Sequence, residues 1–334
     1  EGGRSEEAGK VIVEQGESLV KGGRMELLGM IESFPNDVAS VEMLGLIRQI
    51  QGEILTLQGR FEEAEIAFKE AFDLVSKTDN MHLEAQIQSS WADIALKKGD
   101  STTSLSMYHE ALDKFVKLRD SVGAARTYIN LGHIFRRNGD KTKAMKAYEN
   151  VEKILKTGKG QDLSPARIML ARAFLDMDEI ERAREHALQS HDDTMNCDDL
   201  SMHSRARAVL GRYYAKTGDS ELALHHYSEA LEQMGEAGDP ISLVEIILLL
   251  GEVLEDSGNI DEALEHYREG LIIAEANDIR MQIGELLARL GGTAPDISRR
   301  MEYLQRALTV FRELGAKSRM HEVQMMVHQS VMGR

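Results

Sequence analysis

Between residues 122 and 137 (VGAARTYINLGHIFRR) the apolar and small positions fall at Ala125, Tyr128, Ile129, Leu131, Gly132 and Phe135. Spacings of three and four are the period of a helix with one buried stripe, so this stretch predicts an amphipathic α-helix. Asn138-Gly139-Asp140 interrupts the stripe. Glycine there permits a left-handed C-terminal conformation, and an aspartate accepts from the free amides that open the next helix. From Lys141 to Lys156 a second stripe carries Ala144, Ala147, Tyr148 and Val151. The same punctuation recurs as Gln58-Gly59, Lys98-Gly99-Asp100, Thr217-Gly218-Asp219 and Ser257-Gly258-Asn259, so the chain predicts a succession of helix pairs. No stretch alternates apolar and polar residues strictly enough to suggest a sheet.

The pairs keep a beat. A small residue stands at Gly52, Ala92, Gly132, Ala171, Gly211 and Gly251, at intervals of 40, 40, 39, 40 and 40. A second small residue follows each by twelve, at Ala64, Ser104, Ala144, Ala183, Ala223 and Ala263. Sixteen after the first come Phe68, Tyr108, Tyr148, Ala187, Tyr227 and Tyr267, aromatic in all copies but one. Where antiparallel helices approach to ~8–10 Å, a residue without bulk lets an aromatic from the partner fill the gap. A fixed period of this length indicates a solenoid in which stacked neighbours complete one another's core.

Composition adds bounds. Four prolines and an aromatic content of 5% suit an almost wholly helical chain of 334 residues. The longest apolar run, Leu243 to Leu250, contains Glu245 and falls short of the roughly 20 residues a membrane span needs. One cysteine, Cys197, allows no intrachain disulfide, which favours a reducing, cytoplasmic setting. Glu1 to Gly9 lacks the charged-then-apolar pattern of a signal peptide, and a glutamate at residue 1 suggests a processed chain or a piece of a longer protein. With 56 acidic against 40 basic residues the net charge is −16, so neither nucleic acid nor an anionic membrane is an expected partner.

The fragments LGHIFRRNGDKTKAMKAYENV, LGRYYAKTGDSELALHHYSEAL and LGEVLEDSGNIDEALEHYREGL resemble the tetratricopeptide repeat. They share its Leu-Gly pair, its turn glycine, its alanine opening the second helix and its aromatic. The resemblance implies an all-α, right-handed superhelical solenoid of antiparallel helix pairs, running as one body over 1–334. Within it the expected parts are an atypical pair over 6–34 with Gly16 and Gly23, six regular repeats over 38–277, an atypical repeat over 279–314 and a capping helix over 317–331. Ala92 replaces the usual glycine, and Asp178 stands where the fourth repeat's turn glycine falls, so that hairpin is expected to differ in shape.

No catalytic constellation emerges. Gly3 to Lys10 has five residues between Gly3 and Gly9 where a phosphate-binding loop has four, and Val11 replaces its Ser or Thr. His109-Glu110 and His321-Glu322 lack the second histidine of a zinc-protease helix. His186, His226 and His266 share one repeat position. Stacking would hold them ~10 Å apart, whereas zinc needs ligands ~2 Å from one centre, so they are expected beside the buried aromatic on a partly exposed helix. Acidic neighbours disfavour a thiolate at Cys197, and Trp91 falls on a buried stripe. The expectation is a non-enzyme with no cofactor and no metal.

In resembling proteins a concave groove is lined by the first helix of each pair, at offsets −6, −3, +1, +4 and +5 from the small residue. Carried onto this chain, the offsets give Arg126, Ile129, His133, Arg136 and Arg137 in the third repeat. The fourth supplies Ile168, Arg172, Leu175 and Asp176, and the fifth Arg205, Ala208, Arg212 and Lys216. Asn130 adds one amide, with no ladder of Asn at its offset in other repeats. The sixth reverses sign with Glu245, Glu252, Glu255 and Asp256. A basic middle in an acidic chain suggests that a protein, or an acidic or phosphorylated peptide, is held by Arg forks. Exposed helix faces are ordinarily rich in Arg and Glu, and solvation alone also accounts for such charges.

The opening ESLVKGGRMELLGMIESFPND, followed by LIRQIQGEILTLQGRFEEAEIAFKEAFDLV, is similar to the start of the repeat arm in multidomain signal-transduction ATPases of the maltose-regulon-activator type. That resemblance implies a sensor arm without nucleotide hydrolysis of its own. The alternative is a free-standing adaptor linking signalling or polarity proteins. A phosphatase-like regulator would need a catalytic side chain that the sequence does not offer. Solenoid ends self-associate readily, so a weak homodimer through Lys317 to Val331 is a further expectation.

Overall fold

The computed structural model describes residues 12, 27–32, 34, 40–158, 162–195 and 199–332, and all regular structure among them is helical. The phosphate-loop-like stretch at Gly3 to Lys10, most of the expected pair over 6–34 with Gly16 and Gly23, and Cys197 lie outside the described residues. A short helix α1 (Leu27–Glu32) is followed by α2 (Val41–Leu57) and α3 (Phe61–Val75), α4 (Met81–Lys97) and α5 (Ser101–Leu118), and α6 (Ser121–Arg137) and α7 (Lys141–Thr157). The fourth pair is α8 (Ser164–Asp176) and α9 (Ile180–Thr194). Then come α10 (Leu200–Thr217) and α11 (Ser220–Ala237), α12 (Pro240–Asp256) and α13 (Ile260–Ala276), α14 (Arg280–Thr293) and α15 (Ile297–Glu313), and the last helix α16 (Lys317–Met332). The helices group as two compact units, α1 to α9 and α10 to α16.

Each boundary has a chemical cause. Asp100, Asp140 and Asp219 accept from the amides of Thr103, Lys143 and Leu222, closing the second helices at their N-termini. Asp296 does the same for the second helix α15, and Asp120, Asp199 and Asp239 for the first helices α6, α10 and α12. Such a cap contributes about 1 kcal/mol. Asn259, placed like these aspartates, makes no such bond. The turn glycine Gly139 sits at φ +79°, and Asp178 takes the same left-handed conformation at φ 61°. The fourth hairpin therefore keeps the turn conformation of the others instead of the altered one expected, because a short carboxylate side chain tolerates that backbone region.

The beat is steric. A Cβ added at Gly52, Gly132, Gly211 or Gly251 would fall within 3.0 Å of the ring of Phe68, Tyr148, Tyr227 or Tyr267 respectively. Tyr108, Tyr148 and Tyr267 are fully buried, and Tyr227 nearly so. In the copy that lacks the aromatic, Phe174 on α8 is fully buried. Its ring meets Tyr148 edge-on at 5.9 Å and lies at 5.6 Å along His186. At the last pair the second helix arrives three residues early, and Leu304 takes the aromatic's place against Gly291. Trp91 is half-buried at 6.0 Å from Phe72. His186 is 6% exposed, more buried than its expected partly exposed setting, because it stacks on Phe174 and meets Glu152 at 3.2 Å. His226 stacks on Tyr214 in the equivalent place.

Candidate functional site

In three repeats the aromatic that fills the gap does more than pack, because the hydroxyls of Tyr108, Tyr148 and Tyr267 meet polar residues one or four places after the small residue of the first helix. In unit one, the Tyr108 hydroxyl donates to Asp93 on α4 and accepts from Asn130 Nδ2 on α6 at 3.1 Å. The Tyr148 hydroxyl lies 3.4 Å from His133 Nδ1. Asn130, His133 and Arg136 follow one another at a helical turn's spacing, and Arg136 Nη2 reaches Asp176 Oδ2 on α8 at 3.1 Å. These contacts join α4, α6 and α8 in one polar row. Asp93 was not among the residues read from the sequence, and Tyr108 and Tyr148 were read as core aromatics alone. Asp93 follows Ala92 as His133 follows Gly132 and Arg172 follows Ala171, so the repeat register was the signal that could have found it.

Charge is unevenly distributed. α6 carries Arg126, Arg136 and Arg137 and no carboxylate, while α8 carries Arg167 and Arg172 against Asp176 alone. His133 adds no charge near neutrality: burial first, then the neighbouring Arg136 and Arg172, push its pKa down to about 4, against the opposing pull of Asp176. Burial likewise raises the Tyr148 phenol to about 12. Asp93 is held above the usual carboxylate range by burial, which outweighs the Tyr108 hydrogen bond and the charges of Lys97 and Arg126.

The carried-over positions separate on inspection. Arg126 and Arg137 are exposed, and Asn130, His133, Arg136 and Arg172 are partly buried. Ile129, expected in the groove, is 0% exposed. Ile168, Leu175 and Ala208 are buried too. The −3 position is closed because successive first helices, α6 on α8 and α10 on α12, pack directly against each other. Ile129 is therefore core.

In unit two, α10 carries Arg205, Arg207, Arg212 and Lys216 with no carboxylate, and α12 carries Glu245, Glu252, Glu255 and Asp256 with no base. Arg205 is engaged: it meets Asp239 at 3.1 Å and Ser242 at 2.9 Å, tying α10 to the turn before α12. Arg207 pairs with Glu229 of α11. Arg212 is partly buried and Lys216 exposed. On α12, Glu255 accepts from the Tyr267 hydroxyl at 2.7 Å and from Thr293, and Arg289 of α14 pairs with Glu252. Among the described residues no group of three His, Cys, Asp or Glu side chains is placed to hold a metal. No helix among them is long and apolar enough to cross a membrane.

Family models described as tetratricopeptide repeat match residues 83–157 and 204–276, and a second such model matches 168–239. The chain belongs to the tetratricopeptide repeat family. No curated protein sequence matches this tetratricopeptide repeat chain. Among solved structures it is similar to a Rap protein complexed with Competence and Sporulation Factor, at 12% identity and a TM-score of 0.59 over 98% of both chains. It also resembles a signal transduction ATPase with numerous domains that bears a tetratricopeptide repeat sensor, from Pyrococcus horikoshii. That match has 17% identity and a TM-score of 0.57 over 85% of this chain and 45% of the other. Aspartyl phosphate phosphatase F from Bacillus subtilis matches at 13% identity and a TM-score of 0.52, over 96% of this chain and 93% of its own. At these identities the likeness is one of fold.

Proposed function

We propose that this tetratricopeptide repeat chain is a non-catalytic binding module, a scaffold or a sensor arm, which takes an acidic or phosphorylated peptide segment on the first-helix face of unit one. The observation that carries the reading is the charge of that face. Arg126, Arg136, Arg137 and Arg172 stand against three carboxylates at the equivalent positions, Glu53, Asp93 and Asp176, in a chain whose net charge is −16. Guanidinium forks match carboxylate and phosphate geometry, and the neutral His133 and the Tyr148 hydroxyl beside them supply orientation without competing charge. In unit two, Arg212 and Lys216 give α10 a positive charge of its own. The single cysteine of the sequence suits a cytoplasmic setting. Self-association through α16 is a separate proposal, tested by sedimentation at rising concentration.

Two fold relatives were solved with a bound factor or peptide, the Rap protein with Competence and Sporulation Factor and a Rap conjugation gene regulator with the Phr* peptide, which supports peptide binding as the class of function. The test is a fluorescence titration of a Glu-rich peptide and its phosphoserine counterpart against the chain and against the Arg126→Glu, Arg172→Glu double variant. The variant is expected to bind roughly tenfold or more weakly, since it places like charge at the ligand. Equal binding by both would overturn the reading. Arg136→Glu is a poorer probe because it would set a second carboxylate against Asp176.

A further inference from the structure

Away from the first-helix face, the repeats leave a recurring trough between consecutive second helices, floored by the N-terminal half of the first helix between them. The trough is built the same way in both units: Ala124 and Ile283 stand eight residues before Gly132 and Gly291, and Tyr128 and Leu287 four before. Its size and charge differ. In unit one, between α5, α6 and α7, it encloses about 300 Å³ and holds Arg119 and Lys153 against Asp120. In unit two, between α13, α14 and α15, it encloses about 530 Å³ and holds four carboxylates against two arginines.

The unit-two trough combines an apolar floor with an acidic rim. Ile283, Leu287 and Val310 form the floor. Arg306 meets Glu275 at 2.7 Å and Arg280 meets Glu313 across the mouth. Two carboxylates remain, Asp278, which also lines an adjoining cavity with Arg60, and Glu302. Because the Arg306–Glu275 pair is nearly half-exposed on both sides, exchanging its partners costs little.

We propose that the trough bounded by α13, α14 and α15 docks a basic segment of a protein partner, which lays an apolar side chain on Ile283, Leu287 and Val310 and offers Lys or Arg to Asp278 and Glu302. The excess of two carboxylates selects the sign of the partner, and the reversed sign of the equivalent trough in unit one shows that the sign is not imposed by the repeat. The trough is open along its helices, which suits a chain segment better than an enclosed small molecule. None of the residues of the first-helix face of unit one takes part, so this proposal and the peptide reading above stand or fall separately.

The probe is a fluorescein-labelled amphipathic peptide of Leu and Lys, with a Leu and Glu peptide of the same pattern as its counterpart. Each is titrated against the full chain, Thr309→Trp and Glu302→Lys, with a thermal melt of each protein. Thr309 is exposed on the rim, so Trp there fills the trough without changing charge. The Leu–Lys peptide is expected to bind the chain, and both variants, with unchanged melts, to bind it at least tenfold more weakly. Wild-type affinity in Thr309→Trp would mean that net charge alone attracts the peptide, and would overturn the proposal. So would a failure of the Leu–Lys peptide to bind, or equal binding of the Leu–Glu peptide. Should Thr309→Trp not fold, Glu302→Lys at rising salt decides: a wild-type affinity and salt slope would again overturn it.

Discussion

The pairs α6–α7 and α12–α13 share one steric frame and carry opposite charge. In both, a glycine abuts a buried tyrosine ring, Gly132 on Tyr148 and Gly251 on Tyr267. In both, the hydroxyl meets a polar residue of the first helix. There the likeness ends: Tyr148 meets a neutral His133 on a helix with three arginines and no carboxylate, while Tyr267 donates to Glu255 on a helix with four carboxylates and no base. Core sterics fix where the ring and the glycine stand. They leave the residues one and four places further on free to take any charge, so a repeat array can vary what it binds without altering how it folds.

The largest effect should test the shared frame. Gly132→Ala and Gly251→Ala each drive a Cβ into a buried ring, and each is expected to cost about 1–3 kcal/mol, read as a lower denaturation midpoint at unchanged slope. Similar losses in the two units would support a common steric role. A neutral result at either would break the comparison.

The hydroxyls should then separate the two pairs. Tyr267→Phe removes a 2.7 Å hydrogen bond to a carboxylate and is expected to cost about 1.5–3 kcal/mol. Tyr148→Phe loses the 3.4 Å approach to the neutral His133 and a contact with Arg136, which already pairs with Asp176, and should cost less, about 0.5–1.5 kcal/mol. Equal costs would mean that the two hydroxyls have the same setting after all.

A smaller effect should appear with pH. The folded pKa of His133, about 4, lies below the ordinary value of 6.5, so the unfolded chain binds more protons between the two. The contribution is complete above about pH 6.5 and is lost as pH falls towards 4. Discounted for partial exposure, the loss should be about 1 kcal/mol. Denaturant unfolding at pH 7 and pH 4.5 should show the wild type losing more than His133→Gln; parallel losses would place His133 in a solvated setting.

The helix pairs, their caps and the beat were legible in the sequence, since each rests on residues near in the chain: a glycine for a ring, an aspartate for a free amide, a turn glycine for a left-handed backbone. Asp178 shows the limit of reading by residue type, since an aspartate gives the same turn conformation. Phe174 shows another: its ring lies between Tyr148 of the preceding pair and His186 of its own, contacts that no single stripe contains. The candidate site was legible as a run of arginines and only partly as a surface. Ile129 is buried because α6 packs on α8, and Arg205, like Arg136, is paired across neighbouring repeats, with Asp239 and Ser242.

The sequence by itself determined the repeat, because helix period, capping and the fit of aromatic to glycine are decided within about forty residues of chain. Which charges stay open to a ligand was decided only by the tertiary structure. Arg136 with Asp176, Arg205 with Asp239 and Arg289 with Glu252 are pairs between neighbouring repeats. Whether a guanidinium finds a carboxylate a repeat away depends on distances of a few ångströms, which no pattern of residue types along the chain contains.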